Sequence, residues 1–395
     1  MLLQRIGFFT LGVALPVSSM LSRRAAVVLV PIGVALLIIA AVLSEPERFF
    51  RSFRRRSLKA TTLALGLLIG WCFLSLSWGP KGGIDRVVNM LFALALGIAA
   101  IAALPERMRA ANLNALAVGA GIAITILIAM ELTDVGLSDG DDDLTLVIRG
   151  LALIITVAGP LVSWLLLRGR TRGAVALFVL LAAVTLMDAE PVLLLAMAAG
   201  TLASAAVLFL RGRTVTWLAL LLAAIVMMAP VVPWFVRGAL QPLLGLDQQS
   251  VAPFNAWAAM MSQSPIKLVT GHGFGASAQS SQLPGSMLVD IWYDLGLVGA
   301  VAIALSLWFA VSGLKVLQPV IRAGAAYAYV VAFMFAALGL AGFRAWWLMT
   351  MVAAVIVTTA VARGQARTDR PVATFVRTRT PDGPEAIPPK PVDAP

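Results

Sequence analysis

The chain has 395 residues, of which 60% are hydrophobic and 12% are charged, and its formal net charge is +11. Soluble globular proteins carry about 25% charged residues, so this chain has too little polar surface to fold in water. One cysteine and one histidine exclude an intrachain disulfide and a zinc site built from Cys and His. The basic residues lie in short segments between apolar stretches, which excludes a nucleic-acid-binding domain and indicates a lipid bilayer as the environment.

Apolar stretches follow one another from the first residues to about residue 362. A membrane-crossing helix needs about 20 such residues, so we predict an all-α polytopic bundle of about 12 transmembrane helices over residues 1–362. The first stretch has a poor signal-peptide cleavage site and is interpreted as an uncleaved helix. The pair 174–187 and 191–210 is also compatible with a hairpin that crosses only partly. The predicted spans are 6–22, 25–44, 60–79, 86–104, 114–132, 145–167, 174–187, 191–210, 215–235, 287–312, 323–342 and 345–362.

The connecting segments alternate in charge and predict the orientation. Basic connections stay in the cytoplasm, which predicts a bacterial inner-membrane protein with both termini cytoplasmic. Arg23 and Arg24, between the first two spans, break this alternation. The Pro-rich tail 363–395 has no apolar periodicity and is predicted to be disordered and cytoplasmic. The basic connections are 48–59, 107–109, 168–172, 211–213 and 315–322, and the acidic or nearly neutral ones are 79–85, 134–143, 188–190 and 236–286.

The segment 236–286 is the one predicted periplasmic loop long enough to build a site. Residues 252–261 have the spacing of a short amphipathic helix that carries Trp257. Lys267 follows this helix, and then comes the cluster 271–275, Gly-His-Gly-Phe-Gly. Alternate glycines permit close backbone approach, so the cluster predicts either a re-entrant turn packed on the bundle or a loop whose amides bind a phosphate or a sugar.

Ionisable residues near the predicted outer surface are the candidates for proton transfer. His272 is the sole side chain there whose unperturbed pKa lies near neutrality, although a lone histidine beside glycines is more often structural. Asp290 and Asp294 lie one helical turn apart at the start of the span that follows the loop, and Asp188 is a further alternative.

Four arginines also fall on the predicted outer side: Arg86, Arg149, Arg237 and Arg344. Guanidinium groups bind phosphate oxygens in pairs, so a convergent set would suit a pyrophosphate. Alternatively, each arginine anchors a helix end at the membrane interface. The acidic stretch 139–143 lacks the spacing of a calcium loop, and we predict no metal site.

Three short stretches resemble one known family. The segment from Trp257, WAAMMSQSPIKLVTGHGFGAS, is similar to the Trp helix, Pro and Gly-His-Gly-Phe-Gly cluster of O-antigen ligases and polymerases. Residues 291–299, IWYDLGLVG, resemble the acidic-Leu-Gly segment that follows in those proteins, and residues 74–86, LSLSWGPKGGIDR, resemble their early Ser-Trp-Ser loop. The number of spans and the large loop before the last three spans agree with this resemblance.

The resemblance implies transfer or polymerisation of a glycan carried on undecaprenyl pyrophosphate, without a nucleotide sugar, a cofactor or a required metal. It further implies surface polysaccharide biosynthesis at the periplasmic face, with polysaccharide-assembly proteins as candidate partners. One of His272, Asp290 or Asp294 would activate the acceptor hydroxyl. The candidate substrate-binding residues are Arg237, Arg344, Arg86, Lys267 and Trp257.

The chain departs from the family pattern where the usual histidine is expected. Gly285-Ser286 stand where the family commonly has His-Asn before its acidic-Leu-Gly segment. A divergent transferase with another base is one explanation. A membrane transporter or permease, or a degenerate scaffold of a polysaccharide assembly complex, are the alternatives.

Overall fold

The structure, a computed structural model, describes residues 2–22, 24–80, 82–133, 141–188, 190–210, 213–236, 238, 241, 248–263, 266–280 and 283–364. Several sequence-based predictions lie outside these residues. They are the predictions for Arg23 and Arg237, for the tail beyond residue 364, and for the side chains of the acidic stretch 139–143.

All regular elements of the described residues are helices, as the composition predicts. Fourteen helices are used below. They are α1 Leu2–Ser19, α2 Ala25–Ser44, α3 Pro46–Ser57, α4 Ala60–Ser75, α5 Ile84–Ala103, α6 Ala110–Thr133, α7 Asp141–Leu167, α8 Thr171–Met187, α9 Pro191–Phe209, α10 Thr214–Phe235, α11 Gln248–Gln263, α12 Met287–Val316, α13 Pro319–Ala337 and α14 Ala345–Ala362.

Ten of these helices are long and apolar enough to cross a membrane, so the chain has the architecture of a multi-pass membrane protein. The predicted number of about 12 is not confirmed. The predicted span 60–79 falls on α4, which stops at Ser75 and reaches sufficient length only together with α3, from which it is bent by 66°. The predicted span 174–187 falls on α8, which has 17 residues and is shorter than each of the ten helices that could cross a membrane.

Two hydrophobic clusters hold the bundle together. In the first, α7 is the most enclosed of the ten helices and packs against α13, where Gly159 and Gly324 bring the two backbones together. The second cluster joins α4, α10, α12 and part of α13 to the residues of the segment before α12. Large apolar side chains such as Phe209 and Leu202 remain exposed on the outside, as expected of surfaces that face lipid tails.

The two ends of the bundle differ in chemistry. At one end, which we call the basic end, Arg363 donates hydrogen bonds to the carbonyl oxygens of Leu104 at 2.6 Å and Ile101 at 3.1 Å, and thereby ties α14 to the last turn of α5. The opposite end, which we call the glycine-loop end, holds residues 76–80, 82–83, 271–280, 283–285 and 338–344. The predicted cytoplasmic and periplasmic sides correspond to these two ends, and the sidedness itself stays a prediction.

Candidate functional site

The Gly-His-Gly-Phe-Gly cluster forms a tight loop pressed onto the connection between α4 and α5. Gly271, Gly273 and Gly275 all have positive φ angles, of 77°, 99° and 94°. A side chain at Gly273 would collide with the backbone of Gly79. Alternate glycines are therefore required here for backbone conformation and for backbone contact.

The carboxylate of Asp294 holds this loop in place. It accepts hydrogen bonds from the backbone N–H of Gly275 at 2.8 Å and from the backbone N–H of Ser277 at 2.7 Å. The hydroxyl of Ser277 donates a third at 3.1 Å, and Asp294 is 1% exposed. A carboxylate that is buried and fully hydrogen-bonded in this way is a structural anchor, since removing it would leave several donors without a partner.

The remaining amides of the loop are also used inside the protein. The N–H groups of His272 and Gly273 donate to the carbonyl oxygens of Tyr293 and Asp294 at 2.8 and 3.0 Å, and that of Phe274 donates to Oγ of Ser75 at 3.3 Å. These contacts favour the first of the two sequence interpretations, a turn packed on the bundle. The loop presents no row of unused amides at residues 272–275 for a phosphate.

A π-helical turn in α12 places Asp294 toward the loop. Residues Ile291–Leu295 form this turn, and Gly296, with φ of 64°, follows it. Such a turn inserts an extra residue into a helix and rotates the side chains that precede it relative to those that follow. Asp290 lies just before the turn and is half-buried, whereas Asp294 lies within it and is buried.

Asp290 is the meeting point of the predicted charged residues. Arg86, in the first turn of α5, and Arg344, at the start of α14, both lie close enough for their positive charges to act on the Asp290 carboxyl group. The Ser277 hydroxyl, which donates to Asp294, lies near Asp290, and the charge of Asp290 acts on Asp294. Arg86 and Arg344 therefore lie near one carboxyl group, although no ion pair joins either of them to it within the described residues.

Aromatic contacts fix the position of Arg344 in this group. The ring of Phe343 meets that of Phe274 edge to face, with centroids 5.4 Å apart, and so joins the start of α14 to the glycine loop. The guanidinium group of Arg149 lies 5.4 Å from the ring centroid of Trp346, two residues after Arg344. Arg149, one of the four arginines on the predicted outer side, thus lies in the neighbourhood of the site.

His272 adjoins the site through Tyr293. The two rings stack with centroids 4.1 Å apart and planes 11° from parallel, and Nδ1 of His272 lies 3.1 Å from the carbonyl oxygen of Tyr293. Because a carbonyl oxygen only accepts, Nδ1 carries the proton and Nε2 is the basic nitrogen. Within the described residues, no hydrogen bond joins this imidazole to Asp290 or Asp294.

The surroundings of His272 predict a pH dependence. Burial lowers the pKa of His272, and the charge of Lys267 acts in the same direction, against the hydrogen bond to Tyr293, which raises it. The folded protein binds this proton more weakly than the unfolded chain does. The contribution of neutral His272 to stability is therefore complete above the unfolded pKa of about 6.5, and it is lost as the pH falls from there through the lower pKa of the folded protein. We expect the unfolding temperature to decrease when the pH is lowered from about 7.5 to about 5.5, and to decrease more in the wild type than in His272→Gln. Equal slopes would contradict this role of His272.

Three further candidate residues differ in exposure and position. Trp257 on α11 is 1% exposed and belongs to the second hydrophobic cluster, so its ring is packed against protein. Lys267 is exposed beside the loop and acts on His272 by its charge. Asp188 ends α8, a helix that packs mainly on α6, α7 and α9, away from the group around Asp290.

Ser277 is the residue of the site that the sequence did not reveal. Its hydroxyl and its backbone N–H both donate to Asp294, and the hydroxyl lies near Asp290. The available signal was slight, namely a small polar residue two positions after the last glycine of the cluster. Among the described residues, no three His, Cys, Asp or Glu side chains are grouped as metal ligands.

No family model, no curated protein and no solved structure matches this chain.

Proposed function

We propose that this protein is a membrane glycan transferase of the O-antigen ligase and polymerase type. It would act on a glycan linked to undecaprenyl pyrophosphate at the periplasmic face of the bacterial inner membrane, in surface polysaccharide biosynthesis. The observation that carries the proposal is that Arg86 and Arg344 lie near enough to Asp290, at the glycine-loop end, for their charges to act on its carboxyl group. Such a group combines a carboxylate with cations suited to phosphate, and it lies at helix ends, where a lipid-linked substrate meets water.

The proposed reaction is a substitution at the anomeric carbon of the donor sugar. The oxygen of an acceptor hydroxyl forms the new glycosidic bond, and the bond from the anomeric carbon to the phosphate oxygen breaks. Undecaprenyl pyrophosphate leaves with the bonding electron pair, and Asp290 takes the hydroxyl proton as general base. Arg86 and Arg344 stabilise the charge of the leaving group.

The two acidic residues of α12 would then have separate roles. Asp294 already accepts three hydrogen bonds and would position the loop, whereas Asp290 is half-buried and is the stronger candidate for the base. His272, whose Nε2 is not occupied by the Tyr293 contact, is the second candidate for the base.

The proposal predicts large losses of transfer in three variants. In proteoliposomes supplied with undecaprenyl-pyrophosphate-linked oligosaccharide and a glycan acceptor, release of undecaprenyl pyrophosphate is measured by mass spectrometry. Asp290→Asn is expected to slow release by about 10²–10⁴-fold, the usual contribution of a general base. Arg86→Ala and Arg344→Ala are each expected to slow it by about 10²–10³-fold, the usual effect of losing one group that stabilises transition-state charge.

Arg24→Ala is the matched control, because Arg24 is an exposed arginine in the connection between α1 and α2, outside the site. It is expected to retain wild-type release. Wild-type rates in both Arg86→Ala and Arg344→Ala would overturn the assignment of the site. Passage of the lipid-linked glycan across the bilayer without release of pyrophosphate would instead favour a transporter.

A further inference from the structure

The basic end of the bundle carries a helix that the proposed function does not use. This helix, α3, is bent by 66° from α4 and packs on α2 and α5. Phe49 is buried in that contact, and its ring lies beside that of Phe53, with centroids 6.2 Å apart and planes tilted by 31°. A short amphipathic helix set at an angle to the neighbouring span has the geometry of a helix that lies in the membrane interface.

The outward face of α3 is cationic. Arg48 pairs with Glu45 at 2.8 Å and with Glu106 at 3.7 Å. In the part of the chain that the structure describes, no carboxylate pairs with Arg51, Arg54 or Arg55, and all three are exposed. This set, Arg51, Arg54 and Arg55, is called the arginine face below.

Neighbouring groups show that the positive charge is concentrated here. Burial lowers the pKa of Lys59, and the charges of Arg56, Arg55 and Arg363 lower it further. Burial also lowers the pKa of Arg363 to about 10, with Arg56 and Arg48 contributing and Glu106 opposing. Cations that depress one another's pKa in this way are stabilised by anions supplied from outside the chain.

An exposed aromatic ring accompanies the arginine face. Phe50 is 61% exposed and meets Phe49 edge to face, with centroids 5.3 Å apart. Leu58, at the end of the helix, is also exposed. Apolar side chains beside the arginine face suit the boundary between acyl chains and headgroups of a bilayer. There, aromatic rings enter the acyl region, and guanidinium groups bind headgroup phosphates.

We propose that α3 is a binding surface for anionic phospholipids, whose headgroup phosphates pair with the arginine face. The inference is independent of the proposed transferase activity, because it concerns the opposite end of the bundle. Membrane lipid is the occupant that the structure favours, since the cations and the exposed ring lie on a helix bent away from the adjoining span.

Lipid titration of the full chain tests this surface. The protein, purified in a neutral detergent, is titrated with short-chain phosphatidylglycerol or phosphatidylcholine, and apparent Kd values are measured by native mass spectrometry. Each cation near a membrane surface is expected to favour anionic lipid by roughly fivefold. The wild type should therefore prefer phosphatidylglycerol by at least about tenfold. The triple variant Arg51→Gln, Arg54→Gln, Arg55→Gln should bind both lipids about equally.

Two further variants test whether the preference for phosphatidylglycerol arises from the arginine face or from positive charge anywhere on the protein. The triple lysine variant of the arginine face keeps the charge and is expected to keep most of the preference. Replacing Arg107, Arg170 and Arg172 by glutamine removes three exposed arginines elsewhere in the connections predicted to be basic and is expected to leave the preference unchanged. An equal loss in this control, or equal affinity of the wild type for both lipids, would overturn the proposal. Displacement of phosphatidylglycerol by millimolar inorganic phosphate would also overturn it, since it would show a site for free anions.

Discussion

Asp294→Ala is expected to lower the free energy of unfolding by about 3 kcal/mol or more. The substitution leaves the N–H groups of Gly275 and Ser277 and the Ser277 hydroxyl buried without their acceptor. Each buried donor without a partner costs about 1–3 kcal/mol. Hydrogen bonds to Tyr293 and Asp294 of α12 hold the loop from His272 to Ser277. Since Asp294→Ala removes part of them, we expect the glycine loop to detach before the rest of the bundle unfolds.

The chain contains its own reporter for this experiment. Cys72 is the single cysteine and is buried in the second hydrophobic cluster, near enough for the charge of Asp294 to act on it. A thiol-reactive dye will therefore label the protein only when this region opens. We expect Asp294→Ala to be labelled at a lower temperature than the wild type in detergent solution.

Two variants calibrate the effect of Asp294→Ala. Ser277→Ala removes one of the three hydrogen bonds and is expected to cost about 1 kcal/mol. Asp85→Asn changes an exposed carboxylate in the first turn of α5, at the same end of the bundle, and is expected to shift stability by less than about 0.5 kcal/mol. Asp294→Ala and Asp85→Asn with the same labelling temperature would show that Asp294 does not anchor the loop.

The sequence predicts the helices well because lipid imposes a single requirement. A crossing segment must be apolar for about 20 residues and must satisfy its own backbone hydrogen bonds, so hydropathy alone places a helix. Hydropathy does less well at α4, where the helix stops before the apolar stretch ends. It also does less well at α8, whose 17 residues are fewer than those of the ten helices that could cross a membrane. The turns of residues 76–80 shorten α4, and their geometry depends on contact with the glycine loop, which hydropathy does not encode.

The candidate site is only partly predictable for the same reason. The sequence places Asp290 and Asp294 one turn apart and Arg86 and Arg344 at outer helix ends, and in the structure the charges of Arg86, Arg344 and Asp290 act within this group. The sequence does not distinguish the roles of the two carboxylates. Their hydrogen-bond partners depend on a π-helical turn and on a loop 17 to 19 residues away along the chain. From its sequence context, Trp257 resembles a substrate-binding aromatic residue, whereas in the structure its side chain is buried.

The second large effect is expected from Gly273→Ala, and it separates two costs that glycine avoids. The φ angle of Gly273 is 99°, which costs an alanine about 1–2 kcal/mol, and its Cβ would also collide with the Gly79 backbone. Gly82 has a φ angle of 111°, but a Cβ there meets open space, so Gly82→Ala bears the first cost alone. We expect Gly273→Ala to lower the free energy of unfolding by at least about 2 kcal/mol more than Gly82→Ala, as measured by Cys72 labelling. Equal losses in the two variants would mean that the loop moves away from Gly79 at no cost, and the packed turn would then not fix the position of Ser277 beside Asp290.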